Sequence, residues 1–527
     1  MRAGRLLLLA SALAAAPAPV SAQTDRQVFV ATVEGMTYPA ALAHPDIGRL
    51  ARAGGIGLLA GDRSRGRFTD PVPKGPAVTG VELSELERAV SSSRAGTVLV
   101  MVVGSAGDRP DWLALAAGAP GEVLAGAGPA EGLTSDTTRR RGLVADVDVV
   151  VTVRAFLGLP VSERLPGSSI RVGGQAPTEL YQRAIDYRRV ATPVGLVTLA
   201  LGIGTLVVGL VVLVASIEAP TVRAALAILG LFAVSLLVAL VPASVLPSLE
   251  PAPAVAGLVG IAGVLTASAV LVARGRHDVA VAIVAGVGLT ILVVDGLLGW
   301  PTEVTPLLGG GALLGVRFFG LGNSASGIVL SGAVLAAALL RPWAGVALLA
   351  GAALFAGLPF LGADLGGGVT LFATAGLWHG WRVRGRMDVP AWAVAGATTV
   401  LGGALLIGIH AVWPEATHVT RAVEAGGLVG TFLDRLSSNV RATAEIWPVW
   451  LTVIGLPVWL AVALGRVGPF RRLLEARPRW RTGVIVLAIG GMIGYVANDT
   501  YGTGAVAFVF VSAAMVYPAL RERWTTG

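Results

Sequence analysis

The chain contains, at residues 224–241, the uncharged run A-A-L-A-I-L-G-L-F-A-V-S-L-L-V-A-L-V. A transmembrane helix needs about 20 consecutive apolar residues, so this run and its flanks predict a span over residues 222–246. Hydrophobic residues make up 54% of the 527-residue chain and charged residues 14%, whereas soluble proteins carry about a quarter charged residues. The composition predicts a polytopic membrane protein and excludes an ordinary soluble one.

Similar apolar runs follow one another from about Ala191 to the end of the chain. They predict an all-α polytopic membrane domain of about 11 helices over residues 190–527. The predicted spans are 192–217, 222–246, 253–273, 279–299, 323–340, 343–360, 367–381, 391–413, 447–465, 482–498 and 503–520. Residues 24–189 are more polar and predict a separate domain.

The first 23 residues set the predicted orientation. Arg2 and Arg5 precede the apolar run Leu6–Ala16, and Val20-Ser21-Ala22 resembles a cleavage site, which together predict a signal peptide; an uncleaved anchor helix is the alternative. The N-terminal domain is then extracytoplasmic and the C-terminus cytoplasmic, in the plasma membrane. Arginines agree with this, because the predicted inner loops hold Arg223, Arg274, Arg276, Arg341, Arg382, Arg384, Arg386, Arg466, Arg471, Arg472, Arg477, Arg479, Arg481, Arg521 and Arg523, whereas the outer loops between spans hold Arg317, Arg421, Arg435 and Arg441.

The polar domain alternates short apolar runs with helical patterns. Strands are predicted at Gln27–Val33, Ile56–Leu59 and Thr97–Val103, and helices at Ala40–Ala53 and near Leu83–Ser91. This alternation predicts an α/β domain with a parallel sheet. The chain contains no cysteine, so no disulfide can stabilise that domain.

The opening strand, the turn at Arg49–Leu59 and above all the segment L-T-S-D-T-T-R-R-R-G-L-V-A-D-V-D-V-V-V-T-V-R-A-F-L-G-L (Leu133–Leu159) resemble the alkaline-phosphatase superfamily. The resemblance implies a truncated domain of that fold, in which two metal ions would be held by Asp and His. Only Glu34 matches the first acidic position, Gly104–Gly107 stands where an Asp-His-Gly is expected, and His44 is the one histidine of the domain. We therefore expect a degenerate, metal-free pseudoenzyme domain.

Four polar motifs of the membrane domain fall on one predicted side, the extracytoplasmic one. They are V-R-F-F-G-L-G-N (316–323), G-A-D-L-G-G-G (362–368), H-V-T-R (418–421) and N-D-T-Y-G-T-G (498–504). The first and last resemble motifs of uncharacterised bacterial multi-span membrane proteins, R-F-[YF]-G-[LI]-G-N and a final N-D-[ST]-G-like turn, and that resemblance implies no activity. Ionisable residues at membrane depth are costly unless paired or hydrated, so this concentration predicts a functional site.

The residue types suggest an anionic, phosphate-bearing substrate. Arginine forks bind phosphate oxygens, and a histidine or a carboxylate can act as general base. The predicted catalytic residues are His418, Asp364 and Asp499, and the predicted substrate-binding residues are Arg317, Asn323, Arg421, Arg435 and Asn498. A transferase acting on a phosphate-bearing lipid or a polyprenyl-linked glycan is the first interpretation, with no cofactor and no metal.

Other interpretations remain open at this stage. Arg317 could form a purely structural pair with Asp295 or Asp364, the glycine-rich segments 307–321 and 362–368 could be re-entrant or could simply allow close helix packing, and the charged face within 414–446 could be only solvated. The whole chain could be a lipid or anion transporter or flippase, or a non-catalytic envelope scaffold. The expected partners are membrane lipids, a lipid-linked or anionic substrate and an envelope protein, and not nucleic acid, because the arginines follow topology.

Overall fold

The computed structural model of the chain describes residues 25–521 with several gaps. The gaps are residues 61–76, 106–109, 127–128, 162–166, 216–218, 246–250, 305, 309–318, 386, 414–436, 438–439, 441–448, 466–469 and 499–501. The predicted signal peptide lies outside the described residues. The chain divides into two compact units, with a boundary between Arg188 and Arg189.

The N-terminal unit is built on one mixed sheet, which contains eight strands in the described part of the chain. The strands are β1 (Arg26–Glu34), β2 (Gly55–Ala60), β3 (Val78–Val81), β4 (Thr97–Ser105), β5 (Asp111–Gly118), β6 (Glu131–Thr134), β7 (Leu143–Ala145) and β8 (Arg171–Gln175). Their order across the sheet is β3-β1-β4-β5-β2-β6-β8, and β7 also pairs with β2. The three predicted strands correspond to β1, β2 and β4.

The prediction of a parallel sheet is wrong for two of these strands. β3 and β4 run parallel to β1, and β6 and β7 run parallel to β2. β5, however, lies antiparallel between β4 and β2, and β8 is antiparallel to β6. β4 ends at Ser105 and β5 begins at Asp111, a connection too short for the crossover that a parallel neighbour needs.

Apolar side chains cover both faces of the sheet. The helices of this unit are α1 (Tyr38–Ala43), α2 (Pro45–Ala53), α3 (Leu86–Ser91), α4 (Pro120–Ala125) and α5 (Asp146–Phe156). Successive residues of β4 belong to different cores, because their side chains point to opposite faces of the sheet. Val100 belongs to the core with α1 and α2, and Met101 belongs to the core with α5. The single helix predicted over Ala40–Ala53 is two helices, because Pro45 lacks an N–H and starts a new helix after an extended His44.

The C-terminal unit is helical. It contains the C-terminal part of α6 (Thr178–Val214), followed by α7 (Pro220–Ala243), α8 (Pro251–Ala273), α9 (His277–Leu297), α10 (Asn323–Leu339), α11 (Pro342–Gly357), α12 (Leu365–Trp378), α13 (Val389–Val412), α14 (Leu456–Gly465), α15 (Arg471–Ala476), α16 (Pro478–Ala497) and α17 (Gly502–Arg521). A π-helical turn, His379–Val383, directly follows α12, and another, Leu451–Gly455, precedes α14. These helices position the candidate site.

Six helices among the described residues are long and apolar enough to cross a membrane. They are Pro220–Ala243, Ala252–Ala273, His277–Leu297, Val389–Val412, Pro478–Ala497 and Gly502–Arg521. Three shorter apolar helices lie at Asn323–Leu339, Pro342–Gly357 and Leu451–Gly465. The six helices indicate a multi-pass membrane protein, and the count of eleven spans stays a prediction.

Candidate functional site

The helical unit brings together the described parts of three polar motifs, at the end where α10, α12 and α17 begin. α10 starts at Asn323, α12 starts directly after Asp364, and α17 starts at Gly502. α16 ends one residue before Asn498 and packs against all three of these helices. We define the Asp364 cluster as Asn323, Ser326, Asp364, Asn498 and Thr503.

Asp364 supplies the carboxylate of the cluster, and only 2% of the residue is exposed. Its Oδ2 accepts a hydrogen bond from Ser326 Oγ on α10. Its backbone N–H donates to Ala356 O over 2.9 Å, and its carbonyl accepts from the N–H of Gly368, also over 2.9 Å. The carboxylate therefore lies at the first turn of α12, where the helix dipole stabilises a negative charge.

Asn498 and Thr503 connect three helix ends by hydrogen bonds. Asn498 Nδ2 donates to Thr503 Oγ1 over 3.1 Å, and Thr503 Oγ1 donates to the backbone carbonyl of Asn323 over 2.9 Å. Both Asn498 and Thr503 are almost completely buried. Because a buried polar group is costly unless it is hydrogen-bonded, this chain of contacts holds the end of α16 and the starts of α17 and α10 in one arrangement.

Glycines at the start of α12 let these polar atoms approach the backbone. A Cβ at Gly366 would overlap Asn498 Oδ1, and a Cβ at Gly367 would lie 2.5 Å from Asp364 Oδ2 and 3.0 Å from Ser326 Oγ. Gly368 serves helix packing instead, since a Cβ there would meet Leu406 of α13. Polar contacts therefore require Gly366 and Gly367, and helix packing requires Gly368. The re-entrant interpretation of this segment stays a prediction.

The first and second motifs also join through their backbones. The N–H of Leu321 donates to Gly362 O over 2.6 Å. Gly320 has a φ of 91°, a left-handed conformation that favours glycine, and a Cβ there would overlap the same Gly362 carbonyl. The segment before α10 is thus held directly against the segment before α12.

Asp295 lies at the C-terminal end of α9 and is 5% exposed. Its carboxylate accepts hydrogen bonds from Thr302 N over 3.2 Å and from Thr302 Oγ1 over 2.5 Å. The adjacent Trp300 donates its indole N–H to Leu361 O over 2.6 Å. Asp295 therefore stabilises a turn that holds the segment before Asp364, and these contacts give it a structural role.

His410 is a buried polar residue that the sequence interpretation missed. It is 0% exposed, lies in α13, and its Nε2 is 2.9 Å from Gly357 O at the end of α11. The sequence signal is a histidine inside an otherwise apolar span, residues 391–413. Ser326 and Thr503 were missed as well, because single hydroxyl residues in helices are common and carry no pattern of their own.

The structure therefore tests only part of the predicted site. It brings Asn323, Asp364 and Asn498 into one cluster through Ser326 and Thr503. The other predicted site residues lie outside the described residues: Arg317, His418, Arg421, Arg435 and Asp499. The alternative in which Arg317 pairs with Asp295 or Asp364 is therefore not tested and stays a hypothesis.

In the N-terminal unit, the ends of β1 and β4 are adjacent, because Glu34 pairs with Ser105. Gly104 is covered by an indole, since a Cβ at that position would overlap the ring of Trp112. Asp148, in the segment that carries the family resemblance, is fully buried and accepts hydrogen bonds from Thr137 Oγ1, Ala145 N and Ser168 N over 2.6–2.8 Å. The described contacts of Asp148 are therefore those of a structural anchor for α5.

Among the residues that the structure describes, no group of three or more histidine, aspartate or glutamate side chains could hold a metal ion. Comparison with protein-family models, with curated proteins and with solved structures gives no match. The geometry of the Asp364 cluster is therefore the basis for a functional proposal.

Proposed function

We propose that this chain is an integral membrane protein of the bacterial cell envelope, and that the Asp364 cluster belongs to an extracytoplasmic site that transfers a group to or from a phosphate-bearing lipid or polyprenyl-linked glycan. The observation that carries the proposal is a buried carboxylate, hydrogen-bonded to Ser326, at the same helix ends as a buried hydrogen-bond chain that joins two other polar motifs. A purely structural helix bundle does not need a carboxylate there, because burying a charge is costly.

The ends of three helices make the region suited to an anion. α10, α12 and α17 all begin at the cluster, and the N-terminus of a helix carries a partial positive charge. In the proposed site, Asp364, His418 and Asp499 carry the proton transfers. Arg317, Arg421 and Arg435, with Asn323 and Asn498, hold the phosphate and the headgroup.

We propose that the N-terminal unit is a degenerate alkaline-phosphatase-like pseudoenzyme that binds an envelope partner or positions the substrate. The indole of Trp112 against Gly104 supports this, because it fills the space beside the strand end at which the resemblance implies a metal ligand. The orientation that belongs to this proposal has the N-terminal unit outside and the C-terminus in the cytoplasm.

The test is complementation of a deletion strain by Asp364→Asn, which keeps the size and one carbonyl oxygen of the side chain but removes the charge. We expect loss of complementation with normal amounts of protein in the membrane. The matched control is Asp388→Asn, because Asp388 is also an aspartate before a helix but caps α13 through Ala391 N. Full complementation by Asp364→Asn would contradict the proposal.

Lipid or anion transport is the second candidate, and two observations favour it. The short helices α10 and α11 resemble the broken spans of transporters, and two arginines without an ion-pair partner among the described residues, Arg382 and Arg479, lie towards the end of α12 opposite Asp364. The two functions differ in where an intermediate accumulates in the deletion strain. Accumulation in the outer leaflet supports the transferase, accumulation in the inner leaflet supports the transporter, and an unchanged lipid composition would leave only a scaffold.

A further inference from the structure

The far end of α12 carries a second group of polar side chains. The π-helical turn His379–Val383 follows α12 and contacts α11, α13 and α16. Arg382 lies in this turn, and Arg479 lies in the first turn of α16. We define the basic group as His379, Arg382 and Arg479.

The two arginines of the basic group differ from their neighbours in having no carboxylate. Arg384 pairs with Asp388 over 3.3 Å, Arg471 pairs with Glu475 over 3.1 Å, and Arg477 lies 4.0 Å from Asp278. Within the described part of the chain, neither Arg382 nor Arg479 lies within ion-pair distance of a carboxylate. The two charges thus lie on elements that contact each other, and the described residues offer neither of them an ion-pair partner.

Burial makes this arrangement costly. The Nε of Arg382 and the Nδ1 of His379 are both buried, and neither has a hydrogen-bond partner among the described residues. Burial of the guanidinium and the charge of Arg479 both lower the pKa of Arg382. An unpaired, partly buried cation is unfavourable, and an anion between these groups would remove the cost.

One exposed tryptophan, Trp343, places the basic group at a surface of the kind that lipid headgroups occupy. The guanidinium of Arg382 lies 5.8 Å from the centre of the Trp378 ring, and the Trp343 ring lies 5.3 Å from the His379 ring. Trp343 is 63% exposed, although it belongs to an apolar helix. Trp378 is fully buried, so Trp343 is the tryptophan that indicates a membrane–water interface, where exposed tryptophan is typical.

We propose that His379, Arg382 and Arg479 bind the phosphate group of an anionic phospholipid at the end of the helical unit opposite the Asp364 cluster. The guanidiniums donate to the phosphate oxygens, and Trp343 packs beside the glycerol and the upper acyl chain. The proposal does not rest on the transferase function, since it uses other residues at the other end of α12. The same phosphate chemistry could be presented by free inorganic phosphate, which the experiment must separate.

The experiment measures equilibrium binding of radiolabelled phosphatidylglycerol to the full-length protein in non-ionic detergent. We expect saturable binding by the wild type, with Arg382→Gln and Arg479→Gln each weakening it at least about tenfold, or about 1.4 kcal/mol. Arg382→Lys keeps the charge but loses the fork, and we expect a smaller loss. Arg471→Gln is the matched control: it removes one exposed, ion-paired arginine near the same helix end, and binding should change by less than about twofold.

Two further measurements complete the test. Size-exclusion profiles must show that each variant is folded and monodisperse. If Arg382→Gln is not folded, Arg382→Lys still tests the proposal. Competition with inorganic phosphate separates the sources, because displacement at millimolar concentration assigns the site to the free anion and resistance assigns it to the lipid. Equal binding by Arg382→Lys, Arg479→Gln and the Arg471→Gln control would overturn the proposal.

Discussion

The two ends of α12 carry different kinds of polar side chains. At the Asp364 end, short polar side chains are almost fully buried and bond to one another across helices. At the other end, Arg382 reaches from a π-helical turn and is only partly buried, and Arg479 of α16 is exposed. The Asp364 cluster forms because helix backbones approach closely, whereas the basic group forms because long side chains extend from different elements. Substitutions should therefore affect the two ends very differently.

The largest effect on stability is expected from adding a methyl group at the Asp364 end of α12. Gly366→Ala would push a Cβ into Asn498 Oδ1 and the carbonyl of Ala497, and overpacking of this kind costs about 1–3 kcal/mol. We expect a clear fall in the apparent melting temperature in detergent. The controls are Gly351→Ala in α11 and Gly396→Ala in α13, where a Cβ would meet nothing within 4 Å. These should be neutral or slightly stabilising, and a similar loss at all three positions would break the comparison.

The next effect concerns the hydrogen bond between Ser326 and Asp364. A double-mutant cycle with Ser326→Ala and Asp364→Ala should give a coupling energy of about 2 kcal/mol, because hydrogen bonds to charged groups contribute about 1.5–3 kcal/mol and each substitution removes one partner. The coupling is read from the thermal stabilities of the wild type, both single variants and the double variant. Additive effects would mean that other contacts hold the Asp364 carboxylate. The stability of the Asp364 end would then depend less on α10.

A smaller effect is expected from the cap of α13, near the basic group. Asp388 Oδ1 accepts from Ala391 N over 3.0 Å, so Asp388→Ala should cost about 1 kcal/mol. Asp388→Asn keeps an oxygen at the cap and should cost less, also measured by thermal unfolding in detergent. If Asp388→Ala cost as much as Gly366→Ala, the far end would be as constrained as the Asp364 end.

The smallest effect is expected from a surface ion pair. Arg384→Gln removes the 3.3 Å contact with Asp388 and should change stability by less than about 1 kcal/mol, because exposed pairs contribute little. High salt should have a similarly small influence on the wild type. A large loss would show that this arginine supports the π-helical turn and is more than a solvated partner.

Part of the fold could be predicted because local sequence decides it. Hydrophobicity alone located the six long apolar helices, and β-branched runs located β1, β2 and β4. The antiparallel β5 was not predicted, since strand direction depends on which neighbours a strand meets and on the length of its connection. The break at His44 was readable from Pro45, but the helical pattern across it suggested one helix.

The candidate site was predictable only as a set of positions. Topology placed Asn323, Asp364 and Asn498 at one end of the spans, and the structure brings them into one cluster. Ser326, Thr503 and His410 gave no usable signal, because a hydroxyl or a single imidazole in a helix is ordinary until its neighbours are known. In the sequence, Arg382 and Arg479 count only as arginines of predicted inner loops, and His379 carries no signal. Their lack of an ion-pair partner among the described residues depends on the tertiary structure.

The sequence by itself determined that the chain has a polar α/β unit and a helical unit with membrane-capable helices, since these follow from hydrophobicity and local periodicity. It also determined where the polar motifs lie along the chain. Only the tertiary structure decided that Gly366 and Gly367 admit Asn498 and Asp364. It also decided that Arg382 and Arg479 lie on contacting elements without an ion-pair partner among the described residues. The physical reason is that such contacts join residues far apart in the chain, at distances set by helix packing.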